Sequence, residues 1–112
     1  MPRRIEQVNE VLRKEIALII ERELELPGVM VTVSKVDCAR ELDSARVWVS
    51  VLPDNKAGSA LQQLRRQQGF IRHLLAKNIL FRRVPQLIFA FDDTAKKAAA
   101  VENIFHDLNA NK

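Results

Sequence analysis

Ser59-Ala60-Leu61-Gln62-Gln63-Leu64-Arg65-Arg66-Gln67-Gln68-Gly69-Phe70-Ile71-Arg72-His73-Leu74-Leu75-Ala76-Lys77-Asn78-Ile79-Leu80-Phe81-Arg82-Arg83-Val84-Pro85 leads into Gln86-Leu87-Ile88-Phe89-Ala90-Phe91-Asp92. The change of period between the two pieces decides the fold. In the first piece Ala60, Leu61 and Leu64, then Phe70, Ile71, Leu74, Leu75 and Ile79, recur at helical spacing. Gly69 interrupts the stripe and costs about 1 kcal/mol of helix propensity relative to alanine, so a kink is expected there, with two arms of different direction. Pro85 and the restricted residue before it end the second arm. In the second piece Leu87, Phe89 and Phe91 alternate with Ile88 and Ala90, the period of a strand whose inner face the first three are expected to form. Ser59 is a good N-cap for the first arm, after the loop Pro53-Asp54-Asn55-Lys56-Ala57-Gly58. Leu64, Phe70 and Leu74 are expected to share one core with Val49 and Phe89.

Upstream, Ile5, Val8, Leu12, Ile16, Ile19 and Ile20 mark a first helix over about residues 3 to 24, with Val11 and Leu18 widening its apolar stripe. Pro27-Gly28 stops it. The β-branched run from Val29 to Cys38 reads as a strand whose parity changes between Val33 and Val36, so a bulge is expected near Ser34-Lys35. After the short connector Ala39-Arg40-Glu41-Leu42-Asp43, Ser44 to Leu52 form a second strand. Ala45, Val47, Val49 and Val51 point to one face and Arg46, Trp48 and Ser50 to the other. The two strands should pair as an antiparallel hairpin. Downstream of Asp92-Asp93, Thr94 is placed as the cap of a last helix lined by Ala98, Val101, Phe105 and Leu108, with residues 109–112 frayed.

The order α-β-β-α-kink-α-β-α defines a single α+β domain over residues 1–112, with a three-stranded mixed sheet and helices packed mainly on one face. A right-handed strand-helix-strand crossover sets the third strand parallel to the second. The other sheet face carries Arg46, Trp48, Ser50, Ile88 and Ala90 and is expected to be partly open.

At 47% apolar and 29% charged residues, the 112-residue chain has the composition of a soluble globular protein rather than a disordered one. No apolar run is long enough to span a membrane. Met1-Pro2-Arg3-Arg4 precedes an amphipathic helix rather than a signal-peptide core, so a cytoplasmic chain is expected. Cys38 is the only cysteine, which excludes an intrachain disulfide and a cysteine-cluster metal site. The net charge of +4 is modest, but its distribution is uneven. Of the fourteen acidic residues, ten lie between Glu6 and Asp54 and four from Asp92 onward, while the interval between carries Lys56, Arg65, Arg66, Arg72, Lys77, Arg82 and Arg83. A helix-Gly-helix-strand unit with only positive charge suits a polyanion.

Several pieces, in this order and spacing, resemble the ribosome-binding factor A family, and the resemblance covers nearly the whole chain. They are Arg3-Arg4-Ile5-Glu6-Gln7-Val8-Asn9, the hairpin Val31-Thr32-Val33-Ser34-Lys35-Val36 through Ala45-Arg46-Val47-Trp48-Val49-Ser50-Val51, Gly69-Phe70-Ile71-Arg72, Leu80-Phe81-Arg82-Arg83-Val84-Pro85-Gln86-Leu87-Ile88-Phe89 and Asp92-Asp93-Thr94. The resemblance implies a KH-like fold of the second topological type. Ordinary KH domains clamp nucleotides with a Gly-x-x-Gly loop between two helices. This family has a kinked junction there, typically Ala-x-Gly, and Gln67-Gln68-Gly69 stands in its place, keeping the glycine but not the alanine. The family is bacterial, binds the small (30S) ribosomal subunit, assists late 16S rRNA maturation including the 5′ end, and has no enzymatic activity. By resemblance the chain is expected to be a cytoplasmic monomer that needs no cofactor, has no membrane partner, and meets other assembly factors such as assembly GTPases. The residues expected at the RNA are Arg65, Arg66, Gly69, Arg72, Lys77, Arg82 and Arg83, with Arg3 and Arg4 at the amino end.

No catalytic constellation accompanies these features. His73 and His106 have no metal-ligand spacing with Cys38, which reads as a small core hydrophobe. Glu41 and Asp43 are two acids in a turn, a commonplace pairing. Trp48 could stack a base on the open sheet face, but a lone aromatic is a thin platform and packing against the hairpin is favoured. The runner-up function is a protein-interaction adaptor whose helices dock a partner, with the basic face incidental.

Overall fold

The computed structural model describes residues 2–79 and 83–92, with Pro2 and Arg3 by backbone alone. The expected last helix from Thr94 and the tail at 109–112 lie outside these residues.

Helix α1 (Pro2–Glu23) buries Leu12, Ile16, Ile19 and Ile20 against the sheet, with Val8 half-buried at its upper end. Its stripe is narrower than expected. Val11 and Leu18 stay 43% and 38% exposed, because each sits about 100° round the helix from a residue at the centre of the stripe. The helix stops before Pro27, and the chain turns at Gly28, whose φ of +72° a side chain would resist.

Strands β1 (Met30–Cys38) and β2 (Ser44–Leu52) form the expected antiparallel hairpin. Val33 faces Val49 but Lys35 faces Trp48, so Ser34 is the extra residue of the expected bulge. The bulge reverses the parity of β1 and allows Val33, Val36 and Cys38 all to reach the core. The Ser34 hydroxyl donates to the Asp92 carboxylate at 2.6 Å and lies 3.2 Å from the Trp48 carbonyl. In the connecting turn Leu42 takes φ +60°, which costs a leucine roughly 1–2 kcal/mol. Its half-buried side chain packs against the core and offsets part of that.

A single 3₁₀ turn (Asp54–Lys56) leads into α2 (Ala57–Arg66), which is followed by α3 (Gln68–Asn78) and β3 (Gln86–Phe91). β3 pairs in parallel with β2, Ala45 facing Leu87 and Val47 facing Phe89, which gives the strand order β1-β2-β3. The core holds Ala45, Val47, Val49 and Val51 from β2, Leu87 and Phe89 from β3, Ala60, Leu61 and Leu64 from α2, and Ile71 and Leu75 from α3.

Five expectations are corrected. The second arm does not run to Pro85: α3 ends at Asn78, with Ile79 already extended (φ −120°, ψ 149°). Ser59 is not the cap: the 3₁₀ turn moves the cap three residues earlier, to Lys56, and the Ser59 hydroxyl donates back to the Lys56 carbonyl at 3.1 Å. The helix breaks at Gln67 (φ −94°, ψ 7°), and Gly69 lies inside α3. Phe70 is 43% exposed and Leu74 half-buried, since the inward line runs through Leu64, Ile71 and Leu75, with Phe70 about 100° away from it. Phe91, the last residue of β3, stays 38% exposed at the rim of the core. Leu64, Val49 and Phe89 are buried as expected.

Candidate nucleic-acid interface

The basic unit is built around the break between α2 and α3. Arg65 and Arg66 occupy the last turn of α2, Gln67 makes the break, and Gly69 and Arg72 lie in the first two turns of α3. Lys77 is in the last turn of α3, roughly 12 Å along the axis from Gly69 at 1.5 Å per residue. Arg65, Arg66, Lys77 and Arg83 are exposed. Arg4 is exposed near the start of α1; the Arg3 side chain and Arg82 lie outside the described residues.

Among the described residues, ion pairs occur only within α1, where Glu10 meets Arg13 at 2.6 Å and Lys14 at 4.0 Å. None of the cations on α2 and α3 is neutralised by a described carboxylate. Arg65, Arg66, Lys77 and Arg83 present this charge at exposed side chains, as a phosphate-binding surface requires.

The cations are not equivalent. Arg72 is half-buried, and its guanidinium donates through Nε to the Pro85 carbonyl at 3.1 Å and through Nη2 to the Val84 carbonyl at 2.9 Å. By charge alone Arg65, Arg66 and Arg72 read as three surface residues that could be replaced together without cost to the fold. Arg72 does not allow it, since it holds the lead-in to β3. Arg65 reaches the Phe89 carbonyl only at 3.4 Å, a long bond from an exposed side chain that can be released. Among the described residues Arg66 makes no internal bond of this kind. It lines a groove of about 270 Å³ with Glu25, Pro27, Ser59 and Gln63.

Gly69 adopts no positive φ, and a Cβ added to it would meet nothing within 4 Å. Packing within the described residues does not require a glycine there, although an alanine would make a better helix. The open space leaves room for another backbone to approach.

The remaining candidates carry packing rather than chemistry. The Arg46 guanidinium carbon lies 5.7 Å from the centre of the half-buried Trp48 ring, a cation–π contact that occupies one face of it. Cys38 is 5% exposed, and its backbone N–H donates to the Asn9 side chain at 2.8 Å. Burial pushes the Cys38 thiol up, and the Asp37 and Asp43 carboxylates add to the shift. His73 is exposed on α3. Among the described residues no three His, Cys, Asp or Glu side chains come together as a metal site would need, and no helix is long and apolar enough to cross a membrane.

One residue at the junction has no counterpart among the candidates. Gln68 accepts the Leu87 N–H at 2.9 Å through Oε1, a contact between residues nineteen apart that no local pattern announces.

Residues 4–105 match the family described as Ribosome-binding factor A. A ribosome-binding factor A of Akkermansia muciniphila is 35% identical over 111 residues, covering 99% of this chain and 89% of the relative. One from Chlamydia pneumoniae is 37% identical over 106 residues, covering 91% and 88%. The crystal structure of ribosome-binding factor A from Thermus thermophilus superposes with a TM-score of 0.72 at 25% identity, over 78% of this chain and 93% of the other. Coordinates of the Thermus thermophilus factor fitted into a cryo-EM map of its 30S complex match with a TM-score of 0.66 at 26% identity, over 74% and 89%.

Proposed function

This chain belongs to the ribosome-binding factor A family, and we propose that it binds the small ribosomal subunit through the α2–α3 junction and assists late maturation of 16S rRNA, including its 5′ end. The observation that carries the reading is the set of cations Arg65, Arg66, Arg72, Lys77 and Arg83, none of them neutralised by a described carboxylate, beside a glycine that packing among the described residues leaves optional. The relative fitted into a 30S complex supports the choice of partner. Arg65, Arg66, Lys77, Arg82 and Arg83 supply phosphate contacts around the junction, Gly69 admits the RNA backbone, Arg72 holds the surface in place, and Arg3 and Arg4 extend it. The protein acts as a cytoplasmic monomeric binding factor, not an enzyme, and meets other assembly factors on the subunit.

Phosphate contacts place a protein on RNA without reading bases, so affinity should follow charge and salt. The test is equilibrium binding of purified protein to small subunits over a series of salt concentrations. Binding should weaken steeply with salt and should survive chelation and nucleotide depletion. The pair Arg65→Ala and Arg66→Ala should leave the fold intact and flatten the log–log salt slope by about 0.7 to 0.9 for each phosphate no longer neutralised. Binding that ignores salt, with the pair as tight as the parent, would point to the adaptor reading instead.

A further inference from the structure

Among the described residues β3 is an edge strand, and its parallel pairing turns alternate backbone groups away from β2. The N–H of Gln86 bonds the Asp43 carbonyl at 3.0 Å and that of Asp92 bonds the Val49 carbonyl at 2.7 Å, so the even positions face β2. The backbone groups of Leu87 and Phe89 point away from β2, while their side chains lie in the core. On this outer edge the Leu87 N–H, in a residue only 3% exposed, is satisfied by Gln68, and the Phe89 carbonyl by Arg65. Just before the strand, Arg72 takes the Val84 and Pro85 carbonyls. Three side chains, one from the last turn of α2 and two from the first two turns of α3, thus bond the outer edge of β3 and its lead-in.

Leu64 and Ile71, on either side of the junction, are fully buried, and backbone bonds run from the Gln67 N–H to the Gln63 carbonyl and from the Ile71 N–H to the Gln67 carbonyl. Gln67 itself sits between the helical and extended regions, no side chain caps the start of α3, and a Cβ on Gly69 would meet nothing within 4 Å. We infer that Gln68 and Arg72 are positioning residues: by tying the first two turns of α3 to the edge of β3 they fix the angle at which α2 and α3 meet, and with it the spacing of the cations on the two helices. The inference deepens the proposed function and rests on it. Arg65 differs from the other two. Its long, exposed bond to Phe89 is one it can exchange for a phosphate, while Gln68 and Arg72 keep the frame.

A positioning residue and a phosphate ligand leave different traces. Removing a phosphate ligand lowers both affinity and salt slope. Removing the clamp spreads the junction over several angles. Affinity then falls by the fraction of molecules still in the binding geometry, while the bound state keeps all its phosphate contacts.

The test uses the full chain with Gln68→Met, which keeps the length without the acceptor, and Gln68→Glu, which keeps the acceptor. Three quantities are measured: exchange of the Leu87 amide by NMR, global stability in denaturant, and small-subunit affinity across salt. Gln68→Met should lose protection at Leu87 and bind roughly fivefold more weakly at every salt, its line parallel to the parent's. Gln68→Glu should retain that protection and approach the parent's affinity at high salt, where its added charge is screened. The inference is overturned if Leu87 stays protected in Gln68→Met, if that variant binds as the parent does, or if its loss disappears once the unfolded fraction is subtracted. Should Gln68→Met fail to fold, Arg72→Lys, which keeps the charge but cannot hold both carbonyls, takes the same measurements. A parent that does not bind subunits at all sinks the proposed function, and Leu87 exchange then still decides the clamp.

Discussion

Leu75 and Phe70 lie five positions apart on α3 and have opposite fates, fully buried and 43% exposed. Their apolar character is visible in the sequence, but which of Phe70 and Ile71 centres the stripe depends on how the helix docks. Leu75→Ala should cost roughly 2 to 5 kcal/mol through the burial it forfeits and the cavity it leaves. Phe70→Ala should cost less than about 1 kcal/mol, and denaturant titration of both variants checks the pair. Arg72 was legible as a charge and not as a strut, because its carbonyl partners at Val84 and Pro85 are set by the tertiary fold. Cys38 makes a further prediction. Its folded thiol titrates above the ordinary value of 9.0, chiefly through burial, so the fold favours the neutral form. That contribution is complete below the unfolded thiol's range and is lost as pH rises through the folded value. Between pH 7.5 and 10 the parent should therefore lose more stability than Cys38→Val, as measured by denaturant midpoints. Equal losses would show that Cys38 is not the titrating group.

Elements bounded by strong local chemistry were legible in full. β2 was readable from Ser44 to Leu52 because its alternation is unbroken and flanked by an acid and a proline, and the bulge at Ser34 because parity changes there. The limits of α1 were legible to within a residue, but the start of α2 and the break before α3 were not. Ser59 is the best cap by composition, yet Asp54 to Lys56 form a 3₁₀ turn that supplies the first turn's geometry sooner. Gly69 attracted the expected kink by its low propensity, while the break falls at Gln67, where the chain needs only a backbone setting open to any residue. Gly69→Ala consequently separates two roles. With open space and ordinary φ, the fold should be unharmed and gain up to about 1 kcal/mol of helix stability. Affinity for small subunits should nevertheless fall, because the added methyl occupies the room left for the RNA backbone. A variant that is stabilised and binds as the parent would remove Gly69 from the interface.

At the scale of the whole molecule, the topology followed from element order and the crossover rule. The charge asymmetry needed only the positions of the acids. What stayed hidden was the division of labour among the cations, since a guanidinium bonded to a carbonyl and one facing solvent have the same letter. The parallel pairing of β3 also has a consequence in time. The hairpin and α1 are complete once residue 52 has been made, whereas the partners of Gln68 and Arg72 arrive last. At about 5 to 20 residues per second, synthesis from Arg66 to Asp92 takes on the order of one to five seconds. During that interval a nascent chain carries the arginines of the junction without the strand that sets their spacing. Stalled chains exposing residues through 83 should be cut by protease around Gln67, and chains exposing residues through 92 should resist. The surface that recognises a ribosomal subunit would then become competent only as its own synthesis nears the end of β3, which keeps the half-made protein from gripping the ribosome that is making it.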